Sequence, residues 1–277
     1  GWLSAAMAMA MAHGQPLRQT WQTAGSTAQH LKWGVVVLAC LCMVHAPGLT
    51  RQFNAVDSAG DMQVHLLQGN IPQNEKFQPG TGIVQALRWY QDELLNIHQG
   101  LAITPETALP LLPQHLPAGY WDRLRQHFSD GAAAALIGVP WKSNNALGAP
   151  NYSNAAIGWK PGQGQPYLYE KNHLVPFGEF IPPLFRWFTQ LMNMPLGDFK
   201  SGGDHPATFD WQRQRIAAHI CYEDLFGEEL ARSFIDPSRA PTILVNISNI
   251  AWFGNTIAID QHLNIARMRS LEFQRPM

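Results

Sequence analysis

Cys221 lies near the end of the run Arg215-Ile-Ala-Ala-His-Ile-Cys-Tyr-Glu-Asp224. Ile216, Ala218 and Ile220 alternate as the inward residues of a half-buried strand do. A thiol at a strand end, followed at once by Tyr222, Glu223 and Asp224 and then by a helical pattern, stands where a nucleophile can be exposed and its thiolate favoured. A blander use of the same residue stays open, because a lone cysteine is commonly a small buried hydrophobe. Two further segments carry chemistry. Leu101-Ala-Ile-Thr-Pro-Glu106 is a short apolar run that must stop near Pro105, which cannot donate to a strand ladder. Glu106 then sits at a strand mouth, as a general base or as an ordinary solvated carboxylate. The segment Tyr169-Glu-Lys-Asn-His-Leu-Val-Pro-Phe-Gly-Glu-Phe180 sets Lys171 between carboxylates, among aromatics and prolines. A desolvated lysine beside carboxylates keeps its charge and can stabilise an oxyanion; on the surface it would make a weak ion pair.

Glu, Lys and Cys in that chain order, each near the end of a strand-like run, resemble the nitrilase superfamily. Five segments are similar to its membrane-bound branch, the apolipoprotein N-acyltransferases: Leu67-Gln-Gly-Asn-Ile-Pro-Gln73, Lys171-Asn-His-Leu-Val-Pro-Phe-Gly-Glu179, Ile220-Cys-Tyr-Glu223, Ser248-Asn249 with Ala251-Trp-Phe-Gly254, and Gln261-His262 with Ala266-Arg-Met-Arg-Ser-Leu-Glu272. The resemblance runs from about Val64 to the last residue. It implies an α/β fold, the α-β-β-α sandwich, in which Cys221 takes an acyl chain as a thioester, Glu106 is the general base and Lys171 stabilises the oxyanion. Glu179, Tyr222 and Glu223 would support these three. Phe77 and Trp252 are candidate walls of an acyl pocket, and Asn154, Trp187 and Phe188 are further candidate substrate contacts. The implied donor is a phospholipid and the implied acceptor is the N-terminal amine of a diacylglyceryl-cysteine lipoprotein. The implied setting is the bacterial inner membrane, with the catalytic domain on its periplasmic or outer face, as a monomer without a cofactor. One position departs from the family pattern: Ile250 stands where the family has Asp, and an aliphatic side chain cannot replace a carboxylate's hydrogen bonds.

Composition narrows the alternatives. The 277 residues suffice for one large α/β domain. Charged residues make up 14% and hydrophobic ones 46%, a balance that suits a membrane-facing surface better than an average cytosolic enzyme. A net charge of −1, with no basic runs interleaved with aromatics, argues against nucleic acid as a partner. Cys40 and Cys42 lie together in an apolar stretch and read as fillers, so no disulfide framework is indicated. The histidines are scattered without metal-ligand spacing; His173 and His219, which flank the proposed site, read as hydrogen-bonded structural residues.

The N-terminal region differs from the rest. Residues 1–12 are small and apolar and are expected to end one transmembrane helix; 13–30 form a polar loop, 31–47 a second transmembrane helix and 48–62 a linker into a catalytic domain over 63–277. The apolar run Gly34–Val44 is shorter than the roughly 20 residues a full span needs, so it is the resemblance that favours a span over a buried helix. The resemblance also leads to the expectation of a fragment, with more membrane helices before it and more strands after it. Ile181–Phe199 is rich in large apolar residues and broken by prolines, which suits an arm holding Trp187 and Phe188 over the site, with an ordinary packed insertion as the alternative.

Strands are expected at Val64–Gln68, Leu101–Thr104, Ala133–Val139, Ala155–Trp159, Ile216–Ile220 and Thr242–Ile247. Helices are expected at Thr81–His98, Ala118–Phe128, Asp224–Phe234 and Ile257–Phe273. Their alternation argues for a layered α/β domain. Two other functions compete with acyl transfer to lipoproteins: a soluble amidase using the same three residues, and a catalytically silent membrane scaffold.

Overall fold

The computed structural model describes residues 27–45, 60–144, 147–176, 179, 199–203 and 207–277, with backbone alone at 27–32, 43–45 and 252. The chain divides into two compact units, Gly1–Asp57 and Ser58–Met277.

In the first unit, helix α1 spans Thr27–His45, in place of the 31–47 expected. Trp33, Val35, Val36, Val37, Leu38 and Leu41 are exposed along it, as are Cys40 and Cys42. Among the described residues no helix is long and apolar enough to cross a membrane. The expected helix end at 1–12 and all but the last few residues of the 13–30 loop lie outside the described residues, as does most of the 48–62 linker.

The second unit is built on two sheets. Strands β1 (Val64–Leu66), β2 (Leu101–Ile103), β3 (Ala134–Asn144), β4 (Pro150–Trp159) and β5 (Tyr167–Glu170) form the first, in that spatial order. β1, β2 and β3 run parallel, and β4 and β5 add antiparallel edges. Strands β6 (Phe209–Trp211), β7 (Gln214–Ile220) and β8 (Ile243–Ile247) form the second sheet, with β7 antiparallel to β6 and parallel to β8.

The period of two along each strand separates two cores. Ala102, Ala135, Ile137, Val139, Ile157 and Trp159 face helices α2 (Gly82–Leu95) and α3 (Tyr120–Asp130). The intervening residues Leu101, Ile103, Ala134, Leu136 and Ala156 meet Ile216, Ala218, Ile220, Val245 and Ile247 of the second sheet. β2 and the adjoining stretches of β3 and β4 are therefore buried on both faces, which is why they read as nearly continuous apolar runs. Helix α3 buries Tyr120, Leu124 and Phe128, four apart on one face, and the Tyr120 hydroxyl donates to Leu87 O of α2 at 2.7 Å.

Two strands escaped the sequence reading, β5 and β6, each of three or four residues at a sheet edge. Such pieces are too short to show a period and exist because a neighbour pairs with them. The helix expected over Asp224–Phe234 is also divided. A 3-10 turn covers Cys221–Leu225, the chain swings out at Phe226, and helix α4 covers only Gly227–Arg232. Helix α5 (Ala258–Phe273) follows β8 and matches its expected place to within one residue at the start. Its tail is tied to β8 by Leu244 N–H donating to Pro276 O at 2.9 Å.

Candidate active site

Three strand ends deliver the three residues singled out from sequence. β2 stops at Ile103, and the chain then crosses β3, where Thr104 N–H donates to Leu136 O and Leu109 N–H to Gly138 O. The crossing is close: a Cβ on Gly138 would lie 2.1 Å from Pro105 O. Glycine is the side chain this approach permits, and the approach aims Glu106 inward. Lys171 follows β5, with its N–H donating to Asn154 O on β4 and its carbonyl accepting from Gly202 N–H, each at 2.8 Å. Cys221 follows β7 directly and opens the 3-10 turn in a left-handed conformation, φ +58°. That conformation costs a non-glycine residue about 1–2 kcal/mol and persists only where the surroundings over-determine it.

The Lys171 side chain is wholly buried. Its ammonium lies 2.8 Å from Glu179 Oε2 and 3.5 Å from Glu106 Oε1. Burial works against the charge, but the Glu106 and Glu179 carboxylates and the nearby Cys221 outweigh it and hold the lysine above its ordinary pKa. Lys171 is thus a fixed cation at working pH. Asn154 Nδ2 donates to Glu106 Oε1 and to Glu179 Oε1, both at 2.7 Å, so the carboxylates share one amide as well as one ammonium. The second oxygen of Glu106 accepts the Asn249 N–H at 2.9 Å.

The Cys221 thiol feels both partners. Burial pushes its pKa up and the Glu106 charge pushes it further; Lys171 and the Ser248 hydroxyl pull it back, for a net value of about 11. The resting thiol is therefore protonated near neutrality, and a base must take its proton for it to attack a carbonyl. Glu223 locks the turn. Its Oε2 accepts from Ile220 N–H and Tyr169 Oη, each at 2.6 Å, and its Oε1 from Asn172 N–H at 2.7 Å and His173 N–H at 3.0 Å. One carboxylate joins the strand before Cys221 to the loop after Lys171. Tyr222 completes the closure, donating to Leu174 O at 2.6 Å and setting its ring 5.6 Å from the Lys171 ammonium.

Of the flanking histidines, His173 is hydrogen-bonded as expected, whereas His219 Nδ1 is buried without a hydrogen-bond partner. His173 Nδ1 pairs with Glu229 at 2.9 Å and its ring stacks on Phe226. His219 is buried, and burial lowers its pKa to about 4. Among the described residues no cluster has metal-ligating geometry.

Of the candidate substrate contacts, Asn154 sits between the two carboxylates, where its amide positions them. Phe77 is 43% exposed, with the Lys76 ammonium 5.8 Å from its ring. Trp187, Phe188 and the side chain of Trp252 lie outside the described residues.

The site also recruits residues to which sequence reasoning gave no role. Lys76 is buried, and its Nζ donates to Glu106 O at 3.2 Å; burial lowers its pKa to about 8, against the opposing pull of Glu106. Gln73 Oε1 accepts from Asn249 Nδ2 at 2.9 Å. Asn249 and Gln73 fall within segments that carry the family resemblance. Lys76, in the polar run Asn74-Glu75-Lys76, reads as a surface turn and gives no signal.

Residues 68–277 match the carbon-nitrogen hydrolase family. An apolipoprotein N-acyltransferase of Verminephrobacter eiseniae is 57% identical over 217 residues, covering 78% of this chain and 40% of that protein. One of Ralstonia nicotianae is 45% identical over 244 residues, covering 88% and 45%. The chain thus spans less than half the length of these two curated relatives. Among solved structures, a CN-hydrolase superfamily protein of Xanthomonas campestris with an arsenic adduct in its active site superposes with a TM-score of 0.52 at 17% identity, covering 76% of this chain and 72% of the other. At that identity the likeness is one of fold.

Proposed function

The chain belongs to the carbon-nitrogen hydrolase family, and from that premise we propose that it carries the catalytic part of an N-acyltransferase. The reaction moves a fatty acyl chain from a phospholipid to the N-terminal amine of a diacylglyceryl-cysteine lipoprotein. One observation carries the reading: a wholly buried lysine bridges two carboxylates beside a cysteine held in a left-handed turn.

In the first half-reaction Glu106 takes the thiol proton as Cys221 Sγ attacks the ester carbonyl of the donor. The carbonyl oxygen becomes an oxyanion, and the Lys171 ammonium stabilises it. As the C–O bond breaks, Glu106 returns the proton to the departing lysophospholipid oxygen, and a thioester remains on Cys221. In the second, the acceptor amine attacks the thioester and loses a proton to Glu106. Collapse releases the Cys221 thiolate, which recovers that proton, and the new amide departs. A thioester is reactive enough for an amine to open it, and two half-reactions on one enzyme give ping-pong kinetics. Glu179, Asn154 and Asn249 hold the base and the cation, while Glu223 and Tyr222 hold the turn.

The acyl-transfer reading is favoured over hydrolysis of a small amide by the naming of the curated relatives and by the row of exposed apolar side chains on α1. Such a row suits contact with an apolar phase, and we assign the protein to the bacterial inner membrane with its catalytic domain on the outer side.

The test is intact-protein mass spectrometry after incubation with phosphatidylethanolamine in detergent, on wild type and Cys221→Ala. A gain of one acyl group, labile to hydroxylamine and absent from Cys221→Ala, is the expected outcome. A folded wild type that gains no acyl group from phospholipid, yet releases ammonia from a small amide, would replace this reading with the amidase.

A further inference from the structure

The turn that opens with Cys221 also carries Asp224, whose side chain has no exposure at all. Neither of its oxygens has a partner at full hydrogen-bonding geometry, although the Asn246 amide and its own backbone N–H lie close enough to ease its charge. A buried carboxylate in that state is costly unless opposite charge stands close by. The facing partners come from α5. His262 Nε2 lies 3.8 Å from Asp224 Oδ1, and Arg269, two turns further along the helix, acts on Asp224 in the same direction.

Burial raises the proton affinity of Asp224, while His262, Asn246 and Arg269 oppose that rise. Arg269 is itself confined. Its Nη1 binds Glu272 on its own helix, and a Cβ on Gly227 would lie 1.8 Å from that same nitrogen. The guanidinium fills the space beside the first residue of α4, so a side chain there would require it to shift. Asn246, on β8, donates its amide to Cys221 O at 2.7 Å. None of these side chains has a place in the acyl-transfer steps.

We propose that Asp224, His262 and Arg269 form a charge cluster that positions the nucleophile. Through it helix α5 grips the back of the 221–225 turn and keeps the Cys221 thiol inside, beside Glu106 and Lys171. Glu223 fixes the front of the turn through Ile220, and the cluster fixes its rear. Together they hold the left-handed residue that neither local sequence nor β7 would hold alone. The inference rests on the reading of Cys221 as the nucleophile, but its test needs no acyl substrate.

The measurement is the rate of Cys221 alkylation by iodoacetamide in the full chain between pH 6 and 11. It is followed by peptide-resolved mass spectrometry, so that Cys40 and Cys42 do not interfere. In the wild type a thiol held near pKa 11 alkylates slowly at pH 8. Arg269→Gln leaves Asp224 buried without its cation. The turn loosens, the thiol gains solvent, its midpoint falls toward the ordinary thiol range, and the rate at pH 8 rises about tenfold.

Arg269→Lys keeps the charge and stays near wild type. Asp224→Asn gives a smaller rise, because the cation it orphans is partly exposed. The double variant Asp224→Asn/Arg269→Gln lies closer to wild type than Arg269→Gln alone, the non-additivity expected of a pair that acts as a unit. Met268→Ala, at an exposed position on α5, changes nothing. Identical profiles for wild type and folded Arg269→Gln overturn the proposal, as does an equal rise in Arg269→Lys and Arg269→Gln. If Arg269→Gln fails to fold, Asp224→Asn against the double variant decides. A wild type that forms no thioester while these alkylation differences persist would sink the acyltransferase reading and leave this one standing.

Discussion

At the scale of single residues the site is a problem of charge. Two carboxylates share one ammonium and one amide, so Lys171 stays charged where burial alone would strip its proton. The thiol pays for the same surroundings with a pKa raised by burial and by Glu106. The two effects fit one mechanism: a permanent cation for the oxyanion, and a thiol that is inert until Glu106 takes its proton. Replacing Glu106 by Gln keeps the shape and removes the base. Thioester formation should slow about 10²–10⁴-fold, read as the rate of acyl mass gain on Cys221. A rate within a few-fold of wild type would exclude Glu106 as the base. Ile250 belongs to this scale too. It follows Asn249, whose N–H holds Glu106, so Ile250→Asp tests the family's carboxylate at that place, and a higher acylation rate is the expected result.

At the scale of elements, the strand ends do the aiming. Pro105 stops β2, and Gly138 lets the following loop cross β3 in contact. Gly138→Ala puts a methyl group where Pro105 O now sits. Overpacking of this kind costs about 1–3 kcal/mol, a moderate loss of stability. The loop it displaces carries Glu106, so the acylation rate should fall by far more than the drop in unfolding midpoint implies. Denaturant unfolding and single-turnover acylation on the same preparation separate the two effects; parallel losses would mean that the glycine serves packing alone. The broken helix after Cys221 has a similar logic. Asp224–Phe234 carries a helical apolar pattern, but Cys221 opens in a left-handed conformation and Phe226 leaves helical geometry, so a 3-10 turn and a fresh helix take its place.

At the scale of the whole molecule, burial of His219 on β7 links stability to pH. Its pKa is about 4 in the fold, against about 6.5 for an unperturbed histidine. Between those values the unfolded chain binds more protons, so acidification favours unfolding. The contribution of His219 is complete above pH 6.5 and shrinks as the pH falls toward 4, by at most ~3 kcal/mol. His219→Gln removes that titration. The difference in unfolding free energy between wild type and variant should change between pH 6.5 and 4 and be flat from 6.5 to 8; a flat difference throughout would place the imidazole in water. Glu223, whose folded pKa is raised by burial, acts with the opposite sign in both proteins and cancels from the difference.

The sequence by itself singled out three candidate residues that the fold then brings together. Glu106 and Cys221 stand out because each follows an apolar run at a strand end, a local feature that period and proline reveal; Lys171 stands out by its flanking carboxylates, since the short strand before it shows no period. The alternation of Ile216, Ala218 and Ile220 located the face of β7 that meets the first sheet, but the strand is not half-buried as that alternation suggests, because Ala217 and His219 on its other face are buried too. What only the tertiary structure decided are relations between distant residues. Asn154, 48 positions from Glu106, becomes its hydrogen-bond donor because β4 lies beside the loop. Lys76 becomes a buried donor to Glu106 O because a polar turn folds over the base. Asp224 meets His262 across 38 residues because α5 returns to the nucleophile turn. A carboxylate or a lysine in a polar stretch looks the same in sequence whether water or protein will surround it, since its solvation is set by what packs against it and not by its neighbours in the chain. Local patterns therefore pointed to the candidate groups, and the fold decided their surroundings and who holds them.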